Sequence, residues 1–363
     1  MAQPTTIARI DAAPLDVPMR EPLAIAGGAA TSLANVLVRV RLAGGVVGWG
    51  EGAPLAAFNG ETQASVLDGV LAAAGDLVGR DVADWFAILG PLDERIASGC
   101  VRAALSMAVL DAWTRTLRIP LRRLFGGAQA SLRSDVTVDL VDATAAAAAA
   151  RRIRRLGVGT IKIKVGSGLA ADEERVRAVA TAAPRAALLL DANQAYDART
   201  ALVLLRRLRL RDVVPALFEQ PVAAADWEGL ADVHRLGRVR VAADESVSSR
   251  RDALRMAQRR SAQVVNVKLM KTGLLESWDI ARICRAAGLG LMVGAMVETP
   301  LALAAAAHLG AGHGGFEFVD LDTSLWLARE PMRGVAFGAR GVYDLAAVRA
   351  GIGVVPRSPW VMA

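Results

Sequence analysis

Residues 7–17 and 34–42 alternate apolar and polar side chains, the period of half-buried antiparallel strands. Gly44-Gly45 supplies a turn, and residues 46–51 resume the strand pattern. Helical periodicity follows over 62–78 and 98–117, and Pro120 and Gly126-Gly127 close the stretch. The pattern predicts a small α+β domain over residues 1–125. The rhythm then changes. Short apolar runs at 136–141, 160–165, 187–190, 216–218, 239–243, 264–269, 290–293 and 316–321 recur about every 25–30 residues, with helical stretches between. Eight buried strands alternating with helices predict an α/β fold: a (β/α)8-type, modified TIM barrel over 126–328. A doubly wound sheet is the alternative, but its usual glycine-rich phosphate turn after an early strand is missing. The last stretch, 329–363, is rich in Gly and Pro. It is expected to pack back on the N-terminal domain and complete it as a cap on the barrel.

Composition narrows the picture. Hydrophobic residues make up 53% of the 363, enough for a large core and too many for a disordered chain. The formal charge of +7 raises the question of nucleic acid. The arginines, however, alternate with apolar residues at helical spacing, as around Ile153, along 206–211 and along 250–260, which reads as solvated helix faces. No aromatic residues interleave with them to stack on bases, so nucleic acid is not an expected partner. The two cysteines and three histidines fit no metal spacing. No apolar run reaches the ~18 residues of a membrane span, and no basic stretch followed by an apolar core opens the chain. No membrane partner is expected, and the cytoplasm is the expected location.

The basic residues carry a sharper signal. Among 43 there are four lysines, Lys162, Lys164, Lys268 and Lys271, and all others are arginine. Arginine stays protonated and cannot act as a base. Lysine can, when burial or a neighbouring cation lowers its pKa. Lysines kept so sparingly are expected where a proton must move.

In such a barrel, chemistry gathers at the C-terminal ends of the strands. There the second strand carries Lys162 and Lys164, which point the same way at a period of two. The third ends in Asp191-Ala192-Asn193-Gln194, the fourth in Glu219-Gln220-Pro221 and the fifth in Asp244-Glu245-Ser246. The sixth carries Lys268 and the eighth Asp320-Leu321-Asp322. One carboxylate after a strand is often only a helix N-cap. Three on consecutive strands converge, and their mutual repulsion calls for a cation. Oxygen ligands without His or Cys suggest Mg²⁺, bound at roughly 2.0–2.1 Å. Lys164 and Lys268 then face each other across the metal. One can take the proton α to a metal-bound carboxylate and the other return it on the opposite face. Lys162, a like charge beside Lys164, is expected to favour the free base. Lys271, about one turn past its strand, is expected at the surface.

These motifs resemble the enolase superfamily, and within it the muconate-lactonizing subgroup. The likeness rests on residues 160–166 (TIKIKVG), 191–194 (DANQ), 219–221 (EQP), 244–246 (DES) and 266–270 (NVKLM), and extends to Gly48-Trp49-Gly50-Glu51 in the cap. Residues 294–300 (GAMVETP) and the Asp320-Leu321-Asp322 triplet are most similar to the dipeptide epimerases. The resemblance implies one Mg²⁺ per subunit on Asp191, Glu219 and Asp244, with Lys164, Lys268 and Lys162 catalytic. It implies a dipeptide substrate whose ammonium group is held by Asp320 and Asp322, and a chain that assembles as a homo-oligomer. Met296 and Glu298 are expected beside the substrate side chain. L-Ala-D/L-Glu epimerases can place an arginine in the capping loop. Here residues 23–28 (LAIAGG) offer Leu23 and Ile25 instead, and residues 55–58 (LAAF) offer Phe58. An uncharged or hydrophobic side chain is expected, unless Glu298 selects a cationic one. o-Succinylbenzoate synthase or N-succinylamino acid racemase is the alternative, with the same lysines and metal but no substrate ammonium.

Overall fold

The computed structural model describes residues 3–25 and 28–357; the side chains of residues 22–30 and of Asn59 lie outside that description. The chain opens with an antiparallel sheet, β1 (Ile7–Ile25), β2 (Gly28–Leu42) and β3 (Val47–Gly52). Ala13, Leu15, Val17 and Met19 are buried while Pro14, Asp16, Pro18 and Arg20 are exposed, so the alternation carries β1 past residue 17. Four helices follow: α1 (Ala56–Asn59), α2 (Gln63–Leu77), α3 (Trp85–Arg95) and α4 (Gly99–Thr116). Thr62 and Ser98 cap α2 and α4 by accepting from the Ser65 and Val101 amides. α4 is buried nearly all round, and β3 lies directly on it. A Cβ on Gly48 or Gly50 would come within 2.1 or 2.0 Å of the Ala108 or Ala104 carbonyl, so only glycine allows this approach.

After a short β4 (Ser131–Arg133) the barrel begins. Its strands are β5 (Val136–Val138), β6 (Thr160–Lys164), β7 (Ala187–Asp191), β8 (Leu217–Glu219), β9 (Val241–Ala243), β10 (Val264–Lys268), β11 (Gly290–Gly294) and β12 (Phe316–Asp320). Between them run α5 (Ala143–Arg155), α6 (Leu169–Ala182), α7 (Ala198–Arg209), α8 (Trp227–Gly237) and α9 (Arg250–Arg259). A one-turn α10 (Leu269–Thr272), then α11 (Leu274–Ala286) and α12 (Pro300–His313), complete the set. Every barrel strand is parallel to its sequence neighbour, the order of a barrel and not of a doubly wound sheet. The Asp135 amide donates to the Val319 carbonyl at 2.8 Å and draws the first strand towards the last.

Leu189, Leu217, Ala242, Val264 and Met292 form a small apolar cluster of their own, one from each of five adjacent strands. Two residues further along, the same side of each strand ends in Asp191, Glu219, Asp244, Asn266 and Gly294. The barrel therefore has an apolar plug with a polar layer above it. Outside, the leucines of α7 turn inward and Arg206, Arg207 and Arg209 turn to solvent, as expected of a solvated face. Among the described residues no helix is long and apolar enough to cross a membrane. The closing segment adds β13 (Met332–Gly334), β14 (Val342–Asp344) and β15 (Val354–Pro356). β14 pairs with β4 and the Tyr343 hydroxyl donates to the Leu321 carbonyl just after β12, while the Ile352 amide donates to Asp111 and Arg115 to the Val354 carbonyl, so the segment touches both the barrel and α4.

Candidate active site

The polar layer at the barrel mouth is organised by lysines. Lys162 Nζ lies 2.8 Å from Asp191, 2.9 Å from Glu219 and 2.7 Å from Asp320. Burial opposes its charge, but Asp191, Asp320, Glu219 and Asp135 outweigh that and hold its pKa well above the usual lysine range. Lys164 donates to Asp191 at 2.8 Å and to Asn193 Oδ1 at 2.5 Å. Across the barrel Lys268 donates to Asp244 at 2.7 Å and stands 5.7 Å from the Phe58 ring centre. Burial opposes the charge of Lys268 too, yet Asp244 and Glu219 raise its pKa.

The surface position expected for Lys271 is wrong. The one-turn α10 folds it inward, where it is buried and donates to Asp244 Oδ1 at 2.8 Å and to the Asp244 and Asn266 carbonyls at 2.7 and 2.8 Å. It fixes the Asp244 carboxylate from behind.

The carboxylates divide accordingly. Asp191 and Asp244 are buried, which would raise their pKa values, but the lysines against them hold both below the usual range. Burial, followed by the charge of Asp191, pushes Glu219 up to about 7. Burial, then Asp244, does the same to Glu245. Glu219 Oε2 is buried with no hydrogen-bond partner, since Lys162 stands near it without hydrogen-bond alignment. The Lys162 ammonium thus joins Asp191 to Glu219, while Lys268 and Lys271 hold Asp244. Among the described residues no three of these side chains close on one point as a finished metal cage. The donor set nevertheless suits a hard divalent cation: three buried carboxylates at adjacent strand ends, an orphaned oxygen, and no nitrogen or sulfur ligand.

A cavity of about 360 Å³ opens above this layer. Lys162, Lys164, Lys268, Asp320 and Asp322 line it, as do Phe58 and Met296. Its apolar walls come from Leu55 and Phe58 of the cap and from Leu140, Met296, Val297 and Trp326 of the barrel loops. Thr137 donates its amide to Asp322 at 2.7 Å. Burial and then Asp320 push Asp322 up to about 7. Glu298 is not one of the lining residues. It is buried, its carboxyl accepts from the Met296 amide at 2.8 Å, and burial pushes its pKa up to about 8. Leu23 and Ile25 belong to the side chains outside the description. Polar residues of the site that were not singled out from sequence include Thr137, Asp139 and Thr323 of the cavity wall, and Asp135 behind it, whose buried carboxyl lies against that of Asp320.

The chain is similar to known proteins along nearly its whole length. Residues 9–126 match the family described as mandelate racemase / muconate lactonizing enzyme, N-terminal domain, and residues 144–359 match the enolase C-terminal domain-like family. An aromatic dipeptide epimerase from Herpetosiphon aurantiacus is 43% identical over 97% of this chain and 99% of its own. A hydrophobic dipeptide epimerase from Citrifermentans bemidjiense is 37% identical over 94% of this chain and 95% of its own. The crystal structure of a dipeptide epimerase from Enterococcus faecalis complexed with Mg and L-Leu-L-Tyr superposes with a TM-score of 0.92 at 32% identity, covering 96% of this chain and 99% of that one. The chain belongs to the enolase superfamily, in its muconate-lactonizing subgroup, and is an isomerase of the racemase and epimerase type.

Proposed function

We propose that this protein is a Mg²⁺-dependent dipeptide epimerase that inverts the α-carbon of the C-terminal residue. The observation that carries the reading is that Lys164 and Lys268, from opposite sides of the barrel, line one cavity whose wall also holds Asp320 and Asp322. A dipeptide offers matching chemistry: a carboxylate, an α-proton, and an ammonium group about one residue away. Relatives named for dipeptides, and one solved with Mg and L-Leu-L-Tyr, support it.

Asp191, Glu219 and Asp244 would hold the metal, which supplies positive charge to the substrate carboxylate and so acidifies the neighbouring C–H. One lysine, in its free-base form, takes the α-proton. The lysine opposite, as ammonium, returns a proton to the other face. Between the two transfers the charge rests on the carboxylate as an enediolate, and the fixed ammonium of Lys162 faces it. Asp320 and Asp322 bind the terminal ammonium by charge-assisted hydrogen bonds and so set the α-carbon between the lysines. The apolar wall of Leu55, Phe58, Leu140 and Val297 favours an uncharged or hydrophobic side chain.

The test is deuterium incorporation. The protein, Mg²⁺ and pooled L,L-dipeptides are mixed in D₂O, and the expected result is a gain of about one mass unit at the α-carbon of hydrophobic members. Silence with every dipeptide, together with exchange of N-succinylamino acids, would replace this reading with the succinylated substrates.

A further inference from the structure

Asp135 stands directly before β5 and is 1% exposed. With its carboxyl ionised, neither oxygen finds a hydrogen-bond donor. The group within hydrogen-bond reach is another acceptor, the carboxyl of Asp320, and the charged groups facing it are Asp320, Asp322 and Lys162. Lys162 gives no hydrogen bond to Asp135: its ammonium donates to Asp320 at 2.7 Å and stands against Asp191 and Glu219 at 2.8 and 2.9 Å. The amide of Thr137 is already given to Asp322. An ionised Asp135 would be a buried charge pressed against a second carboxylate with no compensating partner, the least stable arrangement for both.

A proton between the two carboxyls removes the conflict. We propose that Asp135 is a positioning residue for substrate binding: it stays protonated and donates its O–H to Asp320, steadying the carboxylate that receives the substrate's ammonium group. Burial and the two neighbouring aspartates, which raise its pKa well above the carboxylate range, act in the same direction. A carboxylic acid kept neutral by its surroundings can serve as a hydrogen-bond donor at neutral pH. Asp135 does not line the cavity. It acts through Asp320, whose carboxylate meets the cavity on one side and Lys162 on the other. The role in substrate binding rests on the dipeptide reading, whereas the shared proton does not.

Two variants separate a donor from a mere space-filler. Asp135→Asn keeps an N–H donor in the same place; Asp135→Val fills a similar volume without one. With the Mg²⁺-loaded protein and a hydrophobic dipeptide, Asp135→Val is expected to raise KM about tenfold with kcat little changed, while Asp135→Asn stays close to wild type. Difference infrared spectroscopy supplies a readout independent of turnover. Wild type minus Asp135→Asn should show the C=O stretch of a protonated carboxyl. Equal damage in both variants, unchanged kinetics in Asp135→Val, or no carboxylic acid band each overturns the assignment. Should Asp135→Val not fold, Asp135→Asn and the infrared difference decide it. A wild type inactive on dipeptides overturns the substrate reading and the role in ammonium binding with it, and the infrared band still decides whether the proton is there.

Discussion

Lys162 and Lys164 lie two residues apart on one strand yet differ in freedom. The first is locked among three carboxylates; the second has a side chain 23% exposed towards the cavity and can approach a bound molecule. A fixed charge stabilises, and a group with room to move can trade protons. Lys164→Ala and Lys268→Ala should each therefore cut epimerisation by about 10³-fold or more, measured by chiral chromatography. Each should keep α-proton exchange on one epimer, because the remaining lysine still reaches one face. Epimerisation at the native rate in either variant would refute two-base transfer. The four lysines were visible in the sequence by their scarcity, and the period of two on β6 was enough to aim Lys162 and Lys164 together. That period ends at Lys268. The turn of α10 that carries Lys271 inward to Asp244 lies beyond it, so its burial left no periodic trace. Asp135 was illegible for another reason: before a strand, it resembles any solvated loop residue until β5 and β12 are brought side by side.

The barrel strands were legible because burial on both faces writes near-continuous apolar runs. The cap's shorter pieces were not. α1 has one turn, and α3 carries Gly90 and Pro91 inside an apolar stretch, which obscures its period. Nor does the sequence show what joins cap to barrel. Glu51, at the end of β3, is wholly buried against the start of α12. It accepts from Asn35 Nδ2 at 2.7 Å, from the Thr299 amide and hydroxyl at 2.9 and 2.5 Å, and from the Ala302 amide at 3.2 Å. A carboxylate so placed satisfies orphan amides at a helix N-terminus and meets the positive end of its dipole. Asn35 also donates to the Val297 carbonyl, in the loop that lines the cavity. Removing the acid leaves those donors buried and unpaired. Glu51→Ala should cost roughly 2–3 kcal/mol in urea unfolding and raise KM for dipeptides by loosening residues 295–299. An unchanged unfolding midpoint would show that the anchor contributes little.

At the scale of the whole molecule, three distant stretches of chain meet on one imidazole. His308, in the middle of α12, accepts the Arg122 amide at Nδ1 at 2.9 Å. Its Nε2 lies 3.0 Å from the Ile352 carbonyl and donates to it in the neutral tautomer that this pairing requires. The end of the cap, a barrel helix and the closing segment are thereby tied together. Burial pushes this histidine down to about 4, with the hydrogen bond to Ile352 opposing and Arg122 adding to the effect. Folded protein thus keeps His308 neutral until about pH 4, whereas the unfolded chain binds a proton below about pH 6.5. Between those values protons favour unfolding. The contribution is complete above about pH 6.5 and is lost as pH falls towards 4, to the extent of roughly 3 kcal/mol. His308→Gln, which does not titrate, should be less stable than wild type at pH 7, with the gap narrowing as the pH is taken to 5.5 and 4.5 in urea melts. A gap that does not change with pH would mean that His308 titrates alike in both states, and that the acid sensitivity of the fold comes from the carboxylates at the barrel mouth.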